Sequence, residues 1–211
     1  MQKGSEMHKP MLAVAASIAA ALSFAAPARA THFPVSGTIT VSGNAGSLPN
    51  GGTFGDSTYD PATGALSVGQ FAFPQTSTVV NVPGFGNVTV TYTFNQTNTS
   101  TALVAGDGTA AMTQVLAQLS IVSTTLPLPV TPCRFGPIEL DLAGSASSLG
   151  LDLEDRAFTV PPTTDSCGGF ASQINPQLAG DDNSIAMHLA GDFTPPSGDD
   201  NDKIFIDGFD G

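Results

Sequence analysis

Beyond residue 30 the chain carries only two histidines, His32 and His188, and only two glutamates, Glu139 and Glu154. That scarcity bounds the chemistry. A serine or cysteine nucleophile needs a base within hydrogen-bond reach. His32 lies just past the expected signal cleavage point, where chains are usually mobile. His188 sits inside the apolar run 185–189, the setting of a packed or strand-surface histidine rather than a general base. No Gly-x-Ser-x-Gly turn occurs, and no His-Glu-x-x-His or cysteine cluster offers a zinc site. Glycoside hydrolysis needs two carboxyl groups at controlled separation. Glu139 with Asp141, and Asp152 with Glu154, would each share one face of a strand. Mutual repulsion can raise one pKa of such a pair. A solvated strand face accounts for both pairs equally simply, and the absence of Trp, with only Tyr59 and Tyr92 present, weakens a sugar-stacking surface. No catalytic residue is assigned.

Hard oxygen ligands make calcium the one cofactor worth weighing. Asp181 and Asp182 precede Asn183, and Asp199, Asp200 and Asp202 surround Asn201. The second group starts like an EF-type loop, but Ile204 takes its third ligand position, and the Gly and terminal Glu of that loop fall at the wrong spacing. Solvated acidic loops are the default, and no metal is assigned.

Residues 1–30 read as a secretory signal: basic Lys3 and Lys9, an apolar run over 11–26, and Ala28-Arg29-Ala30 before a cut at Ala30–Thr31. Removing Lys3, Lys9, Arg29 and Glu6 from six cations and eighteen carboxylates leaves three against seventeen, a formal charge of −14. That balance argues against nucleic acid and anionic membranes as partners. No second long apolar run follows to span a bilayer. Export to an oxidising compartment makes Cys133 and Cys167 a disulfide rather than a metal or redox pair, two free thiols being the alternative. The 33 residues between them close a loop worth about 3–4 kcal/mol in the chain-entropy model.

The elements that would position these groups are short and alternating. Runs at 35–41, 65–73, 78–82, 88–94, 138–142, 149–153, 157–160 and 185–193 are rich in Thr, Val and Gly, with turn residues between them. Val88, Val90, Tyr92 and Phe94 share one face, Thr89, Thr91 and Thr93 the other, and 78–82 with 88–94 form a hairpin across a five-residue loop. Residues 110–122 fit both templates: Met112, Val115, Leu116 and Leu119 at helical spacing, Val115, Ala117, Leu119 and Ile121 at strand spacing. The β-formers at 121–125 favour a long strand. Residues 169–178 are the best helix candidate, limited to a turn or two by Pro176. The fold expected is all-β, an antiparallel β-sandwich or barrel with one disulfide and at most one short helix. It occupies 31–194, followed at 195–211 by an acidic linker and tail. Twelve Phe beyond the signal must supply much of the core bulk. Phe85, in a Pro-Gly-Phe-Gly loop, is expected to fold back onto the sheet. Sequons at Asn87, Asn95 and Asn98 are read as a Thr-rich exposed hairpin.

Two resemblances follow. The ending Ile204-Phe205-Ile206-Asp207-Gly208-Phe209-Asp210 resembles the "IFxDGF(E/D)" tails of many otherwise unrelated secreted proteins of xanthomonad-like gammaproteobacteria, and implies an exported protein of a Gram-negative bacterium. An acidic end with an apolar tip is the bland account of the same residues. The body shows Ala62-Thr63-Gly64-Ala65-Leu66, then Cys133-Arg134-Phe135-Gly136-Pro137-Ile138-Glu139-Leu140, then Phe158-Thr159-Val160-Pro161 before Cys167, and finally Asn183-Ser184-Ile185-Ala186-Met187. It resembles a group of uncharacterised secreted β-proteins, best known from actinobacteria, with an "ATGxLxG…PP" start, a "C(R)xxxPIxL" strand, an "FTxPxxxxC" return and a "GNxIxLxL" close. The resemblance implies the Cys133–Cys167 bridge and an all-β body, and carries no activity. The last motif departs here, with Asp182-Asn183-Ser184 in place of Gly-Asn.

The functional expectation is a secreted non-catalytic protein of the envelope or extracellular space (periplasmic, outer-surface or extracellular), engaged in surface attachment or binding. The alternatives are a carrier of an apolar small molecule or lipid, and a hydrolase built on a carboxylate pair such as Asp152 and Glu154. An enclosed apolar cavity favours the carrier, a cleft with converging carboxylates the enzyme, and a filled core the structural protein. Mass spectrometry of the exported protein is expected to find Thr31 as its first residue. A different start would displace the cleavage site.

Overall fold

A computed structural model describes residues 31–82, 86–123, 132–163 and 167–197. The signal with Ala30, the loop residue Phe85, and the tail with Asp199, Asp200 and Asp202 lie outside those residues.

The chain forms a closed antiparallel barrel of eight strands with one short helix. In chain order the strands are β1 (Thr31–Val41), β2 (Asn44–Ser47), β3 (Gly52–Ser57), β4 (Tyr59–Asp60), β5 (Ala65–Ala72), β6 (Thr76–Val82), β7 (Gly86–Gln96), β8 (Ser100–Val104), β9 (Thr109–Ser123), β10 (Cys133–Ser147), β11 (Gly150–Asp155) and, after helix α1 (Ala171–Leu178), β12 (Ser184–Ala190). The barrel runs β10-β11-β12-β1-β3-β5-β8-β9 and closes by pairing β9 with β10. Outside the circle, β2 pairs β1, β4 pairs β5, and the β6–β7 hairpin pairs β9.

Period-two alternation explains most of these strands. In β10, Cys133, Phe135, Ile138, Leu140 and Leu142 are buried while Arg134, Glu139 and Asp141 face out. The alternation slips once, at Gly136-Pro137, where the register with β9 shifts. The ambiguous segment 110–122 is a strand. Met112 and Val115 both point inward because the ladder shifts between them, and Gln114 takes a φ of 59° there. Their three-residue spacing is that of a bulge, not of a helical turn.

Three other expectations need adjustment. Residues 157–160 form no strand, and only Val160 makes a bridge, to Gly180. The last strand ends at Ala190 rather than 193. His32 is part of β1, with its ring over Gly55, where an added Cβ would lie 2.6 Å from Nδ1. Strands β2, β3, β4 and β8 were not foreseen. The helix is eight residues long and includes Pro176, as its sequence allowed.

Side chains fill the barrel from one end. Phe54, Leu66, Met112, Leu140, Leu142, Leu151, Leu153 and Leu189 are fully buried, which is how an eight-stranded barrel usually spends its interior volume. Small residues admit this bulk at close approaches. A Cβ on Gly69 would meet the Phe54 ring at 2.4 Å, and one on Gly64, at φ 71°, would meet the Val104 carbonyl oxygen at 1.9 Å. Phe193 seals this end. Its backbone N–H donates to Ser147 O at 3.0 Å, and its buried ring meets Phe33 and Tyr59 at centroid distances of 4.9 and 5.3 Å. Tyr59 in turn donates its hydroxyl to Thr194 O at 2.7 Å. Burial, then the carboxylates of Asp192 and Asp60, push the phenol's pKa up.

Two outcomes follow for stability. Phe193→Ala is expected to lose about 3–5 kcal/mol in denaturant unfolding, whereas Leu149→Ala, at a side chain 82% exposed, stays within about 0.5 kcal/mol. Asp60, Asp107 and Asp192 accept bonds from their own turns, to Thr63, Thr109 and Thr194 respectively, and all three are held below the ordinary value of 3.8. A lowered folded pKa stabilises above the unfolded value and is lost as pH falls through the folded one. Chemical unfolding midpoints are therefore expected to decline once the pH drops below 3.8, and Asp192→Asn should flatten that decline.

Candidate functional site

At the opposite end the interior is not filled. A cavity of about 460 Å³ lies there, within the range of sites that hold one small ligand. Two partner changes open the wall. Strand β1 pairs β3 through residues 31–35 but β2 through residues 38–41. Strand β9 pairs β8 at Ala110 and Ala111 but β7 from Ala117 to Ser123. Strands β3, β5 and β8 thus stop short of this end, and β2 on one side faces the β6–β7 hairpin on the other.

The walls follow from the strand pattern. The inward face of β7 presents Val88, Val90, Tyr92 and Phe94, β9 presents Leu119 and Ile121, and β10 presents Ile138. Phe158 and Val160 line the cavity from the segment after β11, and Ile39 and Val41 from β1. Its deep surface is buried hydrocarbon, with Phe94, Ile138, Phe158 and Val160 all in the core. Its rim is polar and exposed, made of Asn44 and Ser47 on β2, Thr78 on β6, and Gln173 and Gln177 on α1. Among the described residues no Asp, Glu, Lys, Arg or His lines it.

Helix α1 forms part of the cover through Phe170, which precedes it, and Ile174 and Leu178. It has no fully buried residue and no side-chain cap, so tethers hold it. The Cys133–Cys167 disulfide joins the first residue of β10 to the residue before the 3-10 turn that leads into α1. The Asn175 amide makes a reciprocal pair with Thr163, its Oδ1 accepting from the backbone N–H at 2.9 Å and its Nδ2 donating to the carbonyl at 3.0 Å. Beyond the helix, Val160 and Gly180 exchange backbone bonds of 2.9 and 3.0 Å.

The residues singled out in sequence are scattered around the outside of this site. Asp152 and His188 are cross-strand partners on β11 and β12, and Asp152 Oδ1 lies 2.7 Å from His188 Nδ1. The histidine is a strand-surface residue. Ser36 is its neighbour on β1, but the ring leans over Gly150, where an added Cβ would lie 2.7 Å from Nε2. Both ring nitrogens therefore turn to β11, and no nucleophile–base pair forms there. Glu154 accepts from Arg156. Glu139 and Asp141 edge a shallow polar recess with Asp155. Asp155 is committed to the backbone N–H groups of Asp141 and Ala157, both at 3.0 Å. Asp181 accepts the Thr159 hydroxyl at 2.8 Å, and the carbonyl of Asp182 accepts from the Gly43 N–H at 3.1 Å. Among the described residues no three His, Cys, Asp or Glu side chains gather as a metal site.

Amides bonded to the backbone, Gln96 and Asn183 buried and Asn98 half-buried, are what the sequence reading missed. Gln96 Oε1 accepts from the Phe71 N–H at 2.8 Å, and its Nε2 donates to Ser100 Oγ at 2.7 Å. Asn98, read only as a sequon, donates to Gln114 O at 2.7 Å and accepts from the Leu116 N–H at 2.9 Å. Asn183 donates to Phe158 O and Gly180 O at 2.9 and 2.6 Å and accepts from the Ser42 N–H at 2.9 Å. The one available signal was a polar amide between β-formers, which carries no address for its partner.

Fold and site together define a disulfide-bridged antiparallel β-barrel, plugged at one end and open into an apolar cavity at the other. No family model, curated protein or solved structure matches this chain.

The tethers yield a test. The double variant Cys133→Ser/Cys167→Ser is expected to lose about 3–4 kcal/mol in chemical unfolding while keeping the far-ultraviolet spectrum of a barrel, with faster amide exchange in α1 than in β9 and β10. Uniform loss of protection across all three would show that the bridge supports the whole barrel and not the cover.

Proposed function

We propose that this chain is an exported, non-catalytic binding protein whose barrel mouth holds an apolar small molecule. The carrying observation is the cavity of about 460 Å³, with hydrocarbon walls and a polar rim, in a barrel whose other end is packed solid. A filled interior was the expectation for pure surface attachment, and converging carboxylates for hydrolysis. The cavity supports the carrier reading over both. Area removed from water at both partners supplies the driving force, about 25 cal/mol per Å² of apolar surface.

Export is supported by the disulfide, which persists in oxidising compartments. No helix among the described residues is long and apolar enough to cross a membrane. The outward faces of β10, β11 and β12 carry Glu139, Asp141, Asp152 and His188, where a lipid-facing barrel carries an apolar band.

Titration of the purified protein with the neutral fluorophore N-phenyl-1-naphthylamine is expected to give a saturable, blue-shifted signal with one site. Val90→Trp places an indole inside the cavity and should weaken that binding roughly tenfold or more, about 1.4 kcal/mol, with its melting temperature retained. Absence of saturable binding to the wild-type protein would refute the carrier reading.

A further inference from the structure

We infer that the ligand is an uncharged amphiphile: a hydrocarbon body in the cavity and a neutral hydrogen-bonding end at the rim, a fatty alcohol or amide rather than a fatty acid. The inference rests on the carrier reading and adds the charge state of the ligand. Three observations carry it. First, the described lining contains no cation and no carboxylate. An ionised head drawn into such a site loses hydration and gains no partner. Second, the polar groups present are amides and hydroxyls confined to the exposed rim. Gln173 and Gln177 stand one helical turn apart on α1 and share the rim with Asn44 and Ser47 on β2. Amides both donate and accept, so they satisfy an alcohol or amide in full, whereas a carboxylate can use only the donors.

Third, the field disfavours anions. The chain beyond the signal is formally −14, and such a surplus repels carboxylates from every approach. The described cations are turned elsewhere. Arg134 is on the outward face of β10, between inward Cys133 and Phe135, and Arg156 is bound to Glu154. Asp182, beside the β1–β2 turn at Gly43, adds negative charge near the rim. That same surplus would draw in a cationic amphiphile, which the apolar lining nevertheless leaves without a counter-ion.

The experiment displaces N-phenyl-1-naphthylamine from the full-length exported protein with 1-decanol, decanoate and decylamine at pH 7.5, each below its micelle concentration. Decanol is expected to bind roughly tenfold or more tightly than either ion. Lowering the pH toward 5, where more decanoate is protonated, should narrow its gap to decanol. Gln177→Lys, at an exposed rim position, should bring decanoate to within roughly threefold of decanol. Equal affinity for decanol and decanoate, or a preference for decylamine, would overturn the neutral-ligand inference and leave the cavity reading intact. Failure of all three to displace a bound probe would overturn the inference too, by showing the site closed to chain amphiphiles. Failure of the probe itself to bind would remove the carrier reading on which it rests.

Discussion

A closed sheet leaves no free edge only if every strand finds a partner along its whole length. In this protein three strands outrun a neighbour, β10 past β11 among them, and two of them take a second partner. Strand β9 extends past β8, and its surplus edge is taken by β7. Strand β1 extends past β3, and its surplus edge is taken by β2. The cavity is a consequence of these two exchanges. Where the partners change, the circle of eight strands stops and the extensions splay, so inward side chains no longer meet across the axis. The exchange at β9 depends on two side-chain amides, Gln96 buried and Asn98 half-buried. Gln96 receives the N–H of Phe71 where β5 passes from β8 to β7, and Asn98 bridges the bulge at Gln114. An apolar residue at either position would leave backbone groups unpaired, at about 1–3 kcal/mol each.

The two ends of the barrel use the same residue types differently. At the plugged end, Phe193 arrives from outside the strand ladder and lies against Phe33 and Tyr59. At the open end, Phe94 and Phe158 are buried but have no ring opposite them on the far wall, which belongs to β2 and carries Asn44, Ala45, Gly46 and Ser47. Small side chains facing large ones normally interdigitate. Here β2 is exposed along its length and stands too far out to fill the gap. Asymmetry of side-chain volume, set by a four-residue strand, decides which end is solid.

Most of the fold was legible because alternation is a local property. The faces of β7 and of the second part of β10 could be read from Val88-Val90-Tyr92-Phe94 and from Ile138 to Leu142 without knowing any partner, and two cysteines permit one bridge. Strands with few β-branched or large residues were invisible. Strand β2 is Asn-Ala-Gly-Ser, and β3 holds two glycines and an aspartate among its six residues, so pairing and not propensity makes them strands. Residues 157–160 erred the other way, since alternation there serves one bridge and a cavity wall. The site was less legible still. Its lining comes from seven separate segments, each reading as ordinary core, and a cavity is the absence of a side chain from the place where those segments meet. Conspicuous residues such as His188, Asp152 and Glu154 lie on the outer surface, where strand pairing sets Asp152 beside His188.

The cover over the cavity carries the argument one step further. An eight-residue helix with an internal proline, no capping side chain and no fully buried residue is not stable by itself. If packing alone located α1, it would settle further inward until the void beside Ile174 and Leu178 closed. Instead its height is fixed from outside, by the disulfide before its first turn, by the Asn175–Thr163 pair in its middle and by the Val160–Gly180 bridge beyond its end. Ile174 and Leu178 are left half-buried, packed against the core at one side and lining the cavity at the other. A covalent tether that keeps a helix above unfilled hydrocarbon space raises the free energy of the empty protein, since those surfaces forgo dispersion contacts they would otherwise make. On the proposed carrier function, an apolar guest would restore the contacts without moving the tether, so the constraint that stabilises the cover would also favour whatever fits beneath it.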